Sequence, residues 1–215
     1  NGEKFVKIAN IDYMDLNLSL TDNERLVLQT TRKFVNNEIL PIIDKHFSRG
    51  SFPNKVIMKL ANMNFFGINI SKENFGCGMN NIIYGIICQE LERGDSAIRS
   101  FVSVQGSLVM YPIFAYGSEE QKQYWLPKMA KGEKIGCFGL TEPNFGSNPS
   151  GMITRAKKTK GGYILNGSKM WITNGSIADV AVVWAKDDND IVRGFLVEKD
   201  FEGFSTPEMH GKWSL

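Results

Sequence analysis

The chain has 215 residues, 42% of them hydrophobic and 22% charged, a balance that excludes a disordered protein. Its 25 lysines and arginines against 23 aspartates and glutamates leave a net charge of +2. With no basic stripe visible, that excludes nucleic-acid binding through bulk charge. The length suits one large or two small domains at roughly 150 residues each.

In chain order, helical signals come first. Thr21-Asp22-Asn23-Glu24 spells a capping box, and Leu28, Thr31, Val35, Ile39 and Ile42 then recur at helical steps. Pro41 is expected to kink or end that helix. A short helix is expected from Asn54 to Met63, followed by a loop through Gly67 and Gly76-Cys77-Gly78. Ile83, Ile86, Ile87 and Leu91 mark the next helix, which Gly94 stops, and Asp95 or Ser96 caps another. That helix runs into Ser100–Ser118, a stretch without charge. Ser103, Gln105, Gly106, Ser107, Pro112 and Gly117 interrupt it, so it reads as helix buried in a core and not as a membrane span. Ser118-Glu119-Glu120-Gln121 opens one more helix, with Lys128 and Lys131 near its end.

After Lys134 the signal turns to strands. Tyr163–Leu165, Lys169–Thr173, Asp179–Ala185 and Ile191–Val197 read as strands. Asn166-Gly167 and Asn174-Gly175 read as hairpin turns between them, and Asp187–Asp190 as a polar turn. The expected fold class is therefore α+β, an all-helical domain over residues 1–133 followed by a β-meander over 134–215.

Cys77, Cys88 and Cys137 are odd in number and widely spaced, which reads as three free, buried thiols in a reducing compartment. His46 and His210 lie far apart, and no cluster has metal-ligand spacing. The opening Asn1-Gly2-Glu3-Lys4-Phe5 carries no apolar signal core; it also lacks an initiator Met, consistent with a processed start. No P-loop and no nucleophile elbow is present, and Gly76-x-Gly78 lacks the context of a dinucleotide fingerprint.

Three features could carry chemistry. The segment Gly139–Gly151 is rich in glycine, proline and hydroxyls; it is either an exposed turn or a loop whose N–H and O–H groups hold a flat polar cofactor or a diphosphate. In Trp171-Ile172-Thr173-Asn174 an indole stands beside a hydroxyl, which suits either core packing or contact with a planar ring. Arg99 is the last charge before the neutral stretch. It either pairs internally with Asp95 or Glu92, or binds a carboxylate bidentately.

Taken in order, the segments Glu90–Ser100 (ELERGDSAIRS), Ser103–Pro112 (SVQGSLVMYP), Tyr116–Gln121 (YGSEEQ), Gly136–Pro143 (GCFGLTEP) and Trp171–Asn174 (WITN) resemble the acyl-CoA dehydrogenase family, and most its glutaryl-CoA dehydrogenase branch. The resemblance implies a helical N-terminal domain, an antiparallel β-barrel-like middle domain, and a C-terminal helical bundle for which this chain has no counterpart. It implies FAD held by the segment matching Phe138, Gly139, Leu140, Thr141, Gly146 and Ser147, with Thr141 near the pyrimidine edge and Ser147 near the diphosphate. Trp171, Ile172 and Thr173 would flank the isoalloxazine, Thr173 near N5. In the glutaryl branch Arg99 and Ser100 would hold the distal carboxylate of the substrate, with Glu92 in the same hydrogen-bond network; Ser147 would also face substrate.

The implied reaction is α,β-dehydrogenation of an acyl-CoA, followed by decarboxylation to crotonyl-CoA, with electrons passed to electron-transfer flavoprotein. The implied assembly is a tetramer, in the cytoplasm of a bacterium or the mitochondrial matrix of a eukaryote. Two departures stand out. Asn148 replaces the aspartate common after Gly-Ser, and the glutamate base would lie beyond Leu215, so this chain alone is expected to be an inactive fragment. A dehydrogenase or oxidase of an uncharged short-chain acyl-CoA is the alternative. So is a truncated protein that only binds acyl-CoA or a partner, against which stand the apolar Met209, Trp213 and Leu215.

Overall fold

A computed structural model of the protein describes residues 16–212, so the readings made at Asn1–Phe5, Trp213 and Leu215 fall outside the described residues. Helix α1 (Asp22–Phe34) starts at the expected box: Glu24 N–H donates to Thr21 Oγ1 (3.3 Å) and Thr21 N–H donates to Glu24 Oε2 (2.8 Å). The chain then widens into a π-helical segment, Val35–Ile39, and continues as α2 (Leu40–Arg49). Pro41 thus does not end the helix. It sits in the first turn of α2, where the wider π turn just before it absorbs the missing N–H.

Helix α3 (Lys55–Asn62) follows, then α4 (Asn81–Gly94), capped by Asn80, and α5 (Ser96–Ser103), capped by Asp95 accepting from Ile98 N–H at 3.0 Å. Gly94 lets α4 pass against the first π segment, because a Cβ there would lie 2.7 Å from Val35 Cγ1. A second π segment, Val104–Met110, leads into α6 (Tyr111–Tyr116), and α7 (Glu119–Ala130) starts at a capping box between Ser118 and Gln121. The charge-free stretch is core: Phe101, Val102, Val109, Met110 and Ile113 are all buried. Among the described residues no helix is long and apolar enough to cross a membrane.

Among the described residues five strands form one sheet: β1 (Gly136–Gly139), β2 (Arg155–Thr159), β3 (Gly162–Asn166), β4 (Val180–Lys186) and β5 (Val192–Glu198). The sheet is mixed, which corrects the expected antiparallel barrel. β1 runs parallel to β4, from Gly136 opposite Val180 to Gly139 opposite Val183, while β4–β5 and β2–β3 are antiparallel. The connection from β1 to β4 contains the whole β2–β3 hairpin, and parallel pairing needs a long return of that kind.

Two strand readings also change. Lys169–Thr173 is an irregular loop, since Gly167, Trp171 and Asn174 all have positive φ (154°, 62° and 67°) and interrupt the pleat. Neither Asn-Gly pair makes a hairpin; the hairpin turns lie between Thr159 and Gly162, after β2, in which only Ala156 is buried, and between Lys186 and Val192, at the expected polar turn. Of the three free thiols only Cys137 is buried, its pKa pushed up to about 12 by desolvation, whereas Cys77 and Cys88 are partly exposed.

The helical and sheet portions share a core in which Val109 and Met110 meet Ile135, Val180 and Val182. Gly136 allows this approach: a Cβ there would lie 2.4 Å from Val109 Cγ1. Buried Gln105 ties the junction polar-side. Its Nε2 donates to Met129 O (3.2 Å) and Lys134 O (2.9 Å), and its Oε1 accepts from Gly136 N–H (2.9 Å). Gln105→Leu should cost about 2–4 kcal/mol in a urea melt, because Gly136 N–H would be buried without a partner and the part-buried Lys134 O would lose its donor. Met129 O would still accept from Gly132 N–H. A loss below 1 kcal/mol, at about the net worth of one hydrogen bond, would show that the junction does not depend on this side chain.

Candidate functional site

A cleft of about 190 Å³ opens where the sheet meets the second π segment. The end of β1 brings Phe138, Leu140 and Thr141 to one wall; the irregular loop brings Trp171, Ile172 and Thr173 to the other; Val104 and Leu108 of the π segment line it from the helical side. Six residues singled out from two distant segments therefore meet. The contribution of Val104 and Leu108 was not legible in the sequence, because a π segment has no periodic signature of its own.

The lining is apolar apart from Thr141 and Thr173, whose hydroxyls make no hydrogen bond to protein among the described residues. Trp171 is 59% exposed at the rim, in a left-handed conformation (φ 62°) unusual for a bulky residue. Phe138 is backed edge-on by Trp184, ring centroids 6.0 Å apart. Aromatic and aliphatic walls with two unpaired hydroxyls suit one edge of a flat, polar-rimmed ring. The volume is below the roughly 300–1,000 Å³ of a complete small-molecule site, so the cleft holds part of a ligand. Gly139 sits in β1 between the lining residues, while Gly146 and Ser147 lie on the exposed loop outside the cleft.

Behind the walls lies a polar cluster the sequence reading did not assemble. Glu142, 1% exposed in its side chain, pairs with Lys169 at 2.8 Å. It also accepts from Ile153 N–H (2.8 Å), Thr154 N–H (3.0 Å) and Thr154 Oγ1 (2.5 Å). Burial alone would raise the Glu142 carboxyl; Lys169, the Thr154 hydroxyl and the two amides outweigh it and hold the group at about 2. The one legible signal was the string GCFGLTEP itself, since nothing local links position 142 to position 169.

Arg99 lies apart from the cleft lining. Its Nε donates to Glu92 Oε2 at 2.5 Å, and Glu92 also accepts from Ser96 Oγ at 2.5 Å. These two bonds, the serine's first, lower the Glu92 carboxyl below its usual range. Of the internal partners considered, the structure selects Glu92; Asp95 is engaged in capping α5. The two terminal guanidinium nitrogens and Ser100 Oγ meet no protein partner among the described residues. Ser100 stands one helical turn before Val104 on the same face, so this polar group is one turn from the cleft.

Comparison with known proteins agrees with this layout. Residues 21–133 match the acyl-CoA dehydrogenase N-terminal domain and residues 137–215 the acyl-CoA dehydrogenase middle domain. The chain therefore belongs to the acyl-CoA dehydrogenase family. It is 38% identical over 206 residues to a short-chain specific acyl-CoA dehydrogenase of Clostridium acetobutylicum, covering 94% of this chain and 54% of the relative. It is 33% identical over 202 residues to the mitochondrial short-chain specific acyl-CoA dehydrogenase of Homo sapiens, covering 92% and 49%. Among solved structures, a glutaryl-CoA dehydrogenase from Mycobacterium smegmatis in complex with FADH2 superposes with a TM-score of 0.91 at 49% identity, covering 94% of this chain and 52% of that one. The chain thus spans about half the length of the relatives it matches.

Proposed function

We propose that this chain forms the helical and sheet portions of an FAD-dependent acyl-CoA dehydrogenase acting on glutaryl-CoA. One observation carries the reading: the two segments matching the family's flavin-binding motifs meet in one cleft with two hydroxyls unpaired among the described residues. FAD bound there would take the hydride from the β-carbon of the thioester, a redox step no side chain of this chain can perform. Thr141 and Thr173 would donate to the rim of the ring, Trp171 would cover part of its face, and Phe138, Leu140 and Ile172 would exclude water. Ser147, on its exposed loop, would reach the diphosphate beside Gly146.

Arg99 would receive the distal carboxylate on its two free nitrogens, with Ser100 adding a hydroxyl and Glu92 fixing the guanidinium through Nε. The 49% identity to a glutaryl-CoA dehydrogenase supports that substrate over others. Decarboxylation to crotonyl-CoA, transfer of electrons to electron-transfer flavoprotein and a tetrameric assembly complete the proposal. The α-proton would go to a glutamate outside this chain, since neither Glu92 nor Glu142 matches that position.

A second reading, an uncharged short-chain acyl-CoA, is favoured by the Arg99–Glu92 pair, which already occupies one edge of the guanidinium. The visible spectrum of the full-length protein, followed by turnover of glutaryl-CoA and butyryl-CoA, separates the two. A flavin band with glutaryl-CoA preferred is expected. Preference for butyryl-CoA would select the second reading, and a full-length protein without flavin would leave only acyl-CoA or partner binding.

A further inference from the structure

We infer that Glu142 and Lys169, which do not line the cleft, are positioning residues that hold its two walls in register for the cofactor; this rests on the flavin reading above. The walls are far apart in sequence and share no strand pairing. Residues 169–173 have no regular structure, and Trp171 occupies a left-handed conformation that local propensity does not favour. Their position must therefore be imposed from outside.

Three hydrogen bonds join residues 140–142 to residues 169–173 among the described residues. Lys169 Nζ donates to Leu140 O (3.0 Å) and to Glu142 Oε1 (2.8 Å), and Met170 N–H donates to Thr141 O (2.9 Å). Two of the three come from one ammonium. The carboxylate it meets is itself immobilised by Ile153 N–H and by the amide and hydroxyl of Thr154. Gly167, just before the loop, sits so close to Thr154 that a Cβ would lie 2.3 Å from its Oγ1. The buried pair thus joins β1's end, the start of β2 and the Trp171 loop at one point, and the spacing between Thr141 and Thr173 follows from it.

The test uses the full-length protein and FAD itself. Lys169→Gln leaves Glu142 three of its four donors, so the variant should fold, yet its shorter amide cannot span both Leu140 O and Glu142. We expect FAD to bind about tenfold more weakly or worse, with a shifted flavin absorbance band. Lys169→Arg, which keeps two donors on a long stem, should restore part of the affinity. As a control, Glu90→Gln breaks a buried carboxylate held by Arg32 and Arg93 in the helical portion; it should lower the melting temperature with FAD affinity unchanged.

Equal FAD affinity and an unshifted band in Lys169→Gln would overturn the inference, as would equal losses in Lys169→Gln and Glu90→Gln. A wild-type protein that takes up no FAD would instead overturn the flavin reading, and is detected before any variant is made.

Discussion

Glu142→Ala is expected to lower the stability of the protein by about 3–5 kcal/mol, the usual cost of leaving one member of a buried ion pair alone. The Lys169 side chain is only 10% exposed, and without the carboxylate its three N–H donors would keep Leu140 O and the weak thioether acceptor Met152 Sδ. Two backbone amides, of Ile153 and Thr154, would lose their acceptor as well. The pH dependence gives a second, independent reading of the same group. The Glu142 carboxyl is held at about 2 against an ordinary 4.5, so the folded protein binds its proton less readily than the unfolded chain. Its stabilisation is fully present above the unfolded value and disappears as pH falls through the folded one, a contribution of roughly 3 kcal/mol. Urea melts at pH 7, 5, 4 and 3 should show the wild type losing stability toward acid more steeply than Glu142→Ala. Parallel curves would mean that the carboxylate is not charged and paired in the folded protein.

In the full-length enzyme, Arg99→Ala should reduce kcat/KM for glutaryl-CoA by about a hundredfold or more, because a substrate carboxylate would be desolvated without its counter-charge. The loss with butyryl-CoA should be far smaller, since that chain ends in a methyl group. Arg99→Lys keeps the charge but not the planar fork, and should fall between. Glu92 bonds the Nε edge, and both terminal nitrogens, the edge a carboxylate would use for two parallel bonds, have no partner among the described residues. Glutaryl-CoA turnover unaffected by Arg99→Ala would sink the carboxylate clamp and leave Arg99 as a structural partner of Glu92.

The helical portion was legible because its signals are local. Thr21 and Ser118 cap helices with the side chains the sequence pointed to, and Asp95 does the same for α5. Misreadings arose where local chemistry yields to tertiary contacts. Asn166-Gly167 is the strongest kind of hairpin signal, yet here it ends β3, and the glycine serves a close approach to Thr154 instead. β2 went unread because four of its five residues face solvent, so no alternation marks it. Pro41 was expected to kink or end a helix that, past a π turn, continues.

The residues of the candidate site were named from motifs, and their meeting around one flavin was implied by the family resemblance and by no local pattern. Phe138 to Thr141 and Trp171 to Thr173 belong to one cleft because β1 pairs in parallel with β4 and the intervening chain returns across them. Parallel pairing and a buried Glu142–Lys169 contact are long-range events with no period in the sequence.

By itself the sequence determined the order of helical and sheet portions, the helix caps, the absence of charge through the core helix and the segments that carry family membership. Each of these is set by side chains within a few positions of one another. Only the tertiary structure decided that the sheet is mixed, that Arg99 meets Glu92 and not Asp95, and that one buried lysine joins the two walls of the cleft. Those outcomes depend on which distant surfaces exclude water together, a property of the packed chain and of no single stretch of it.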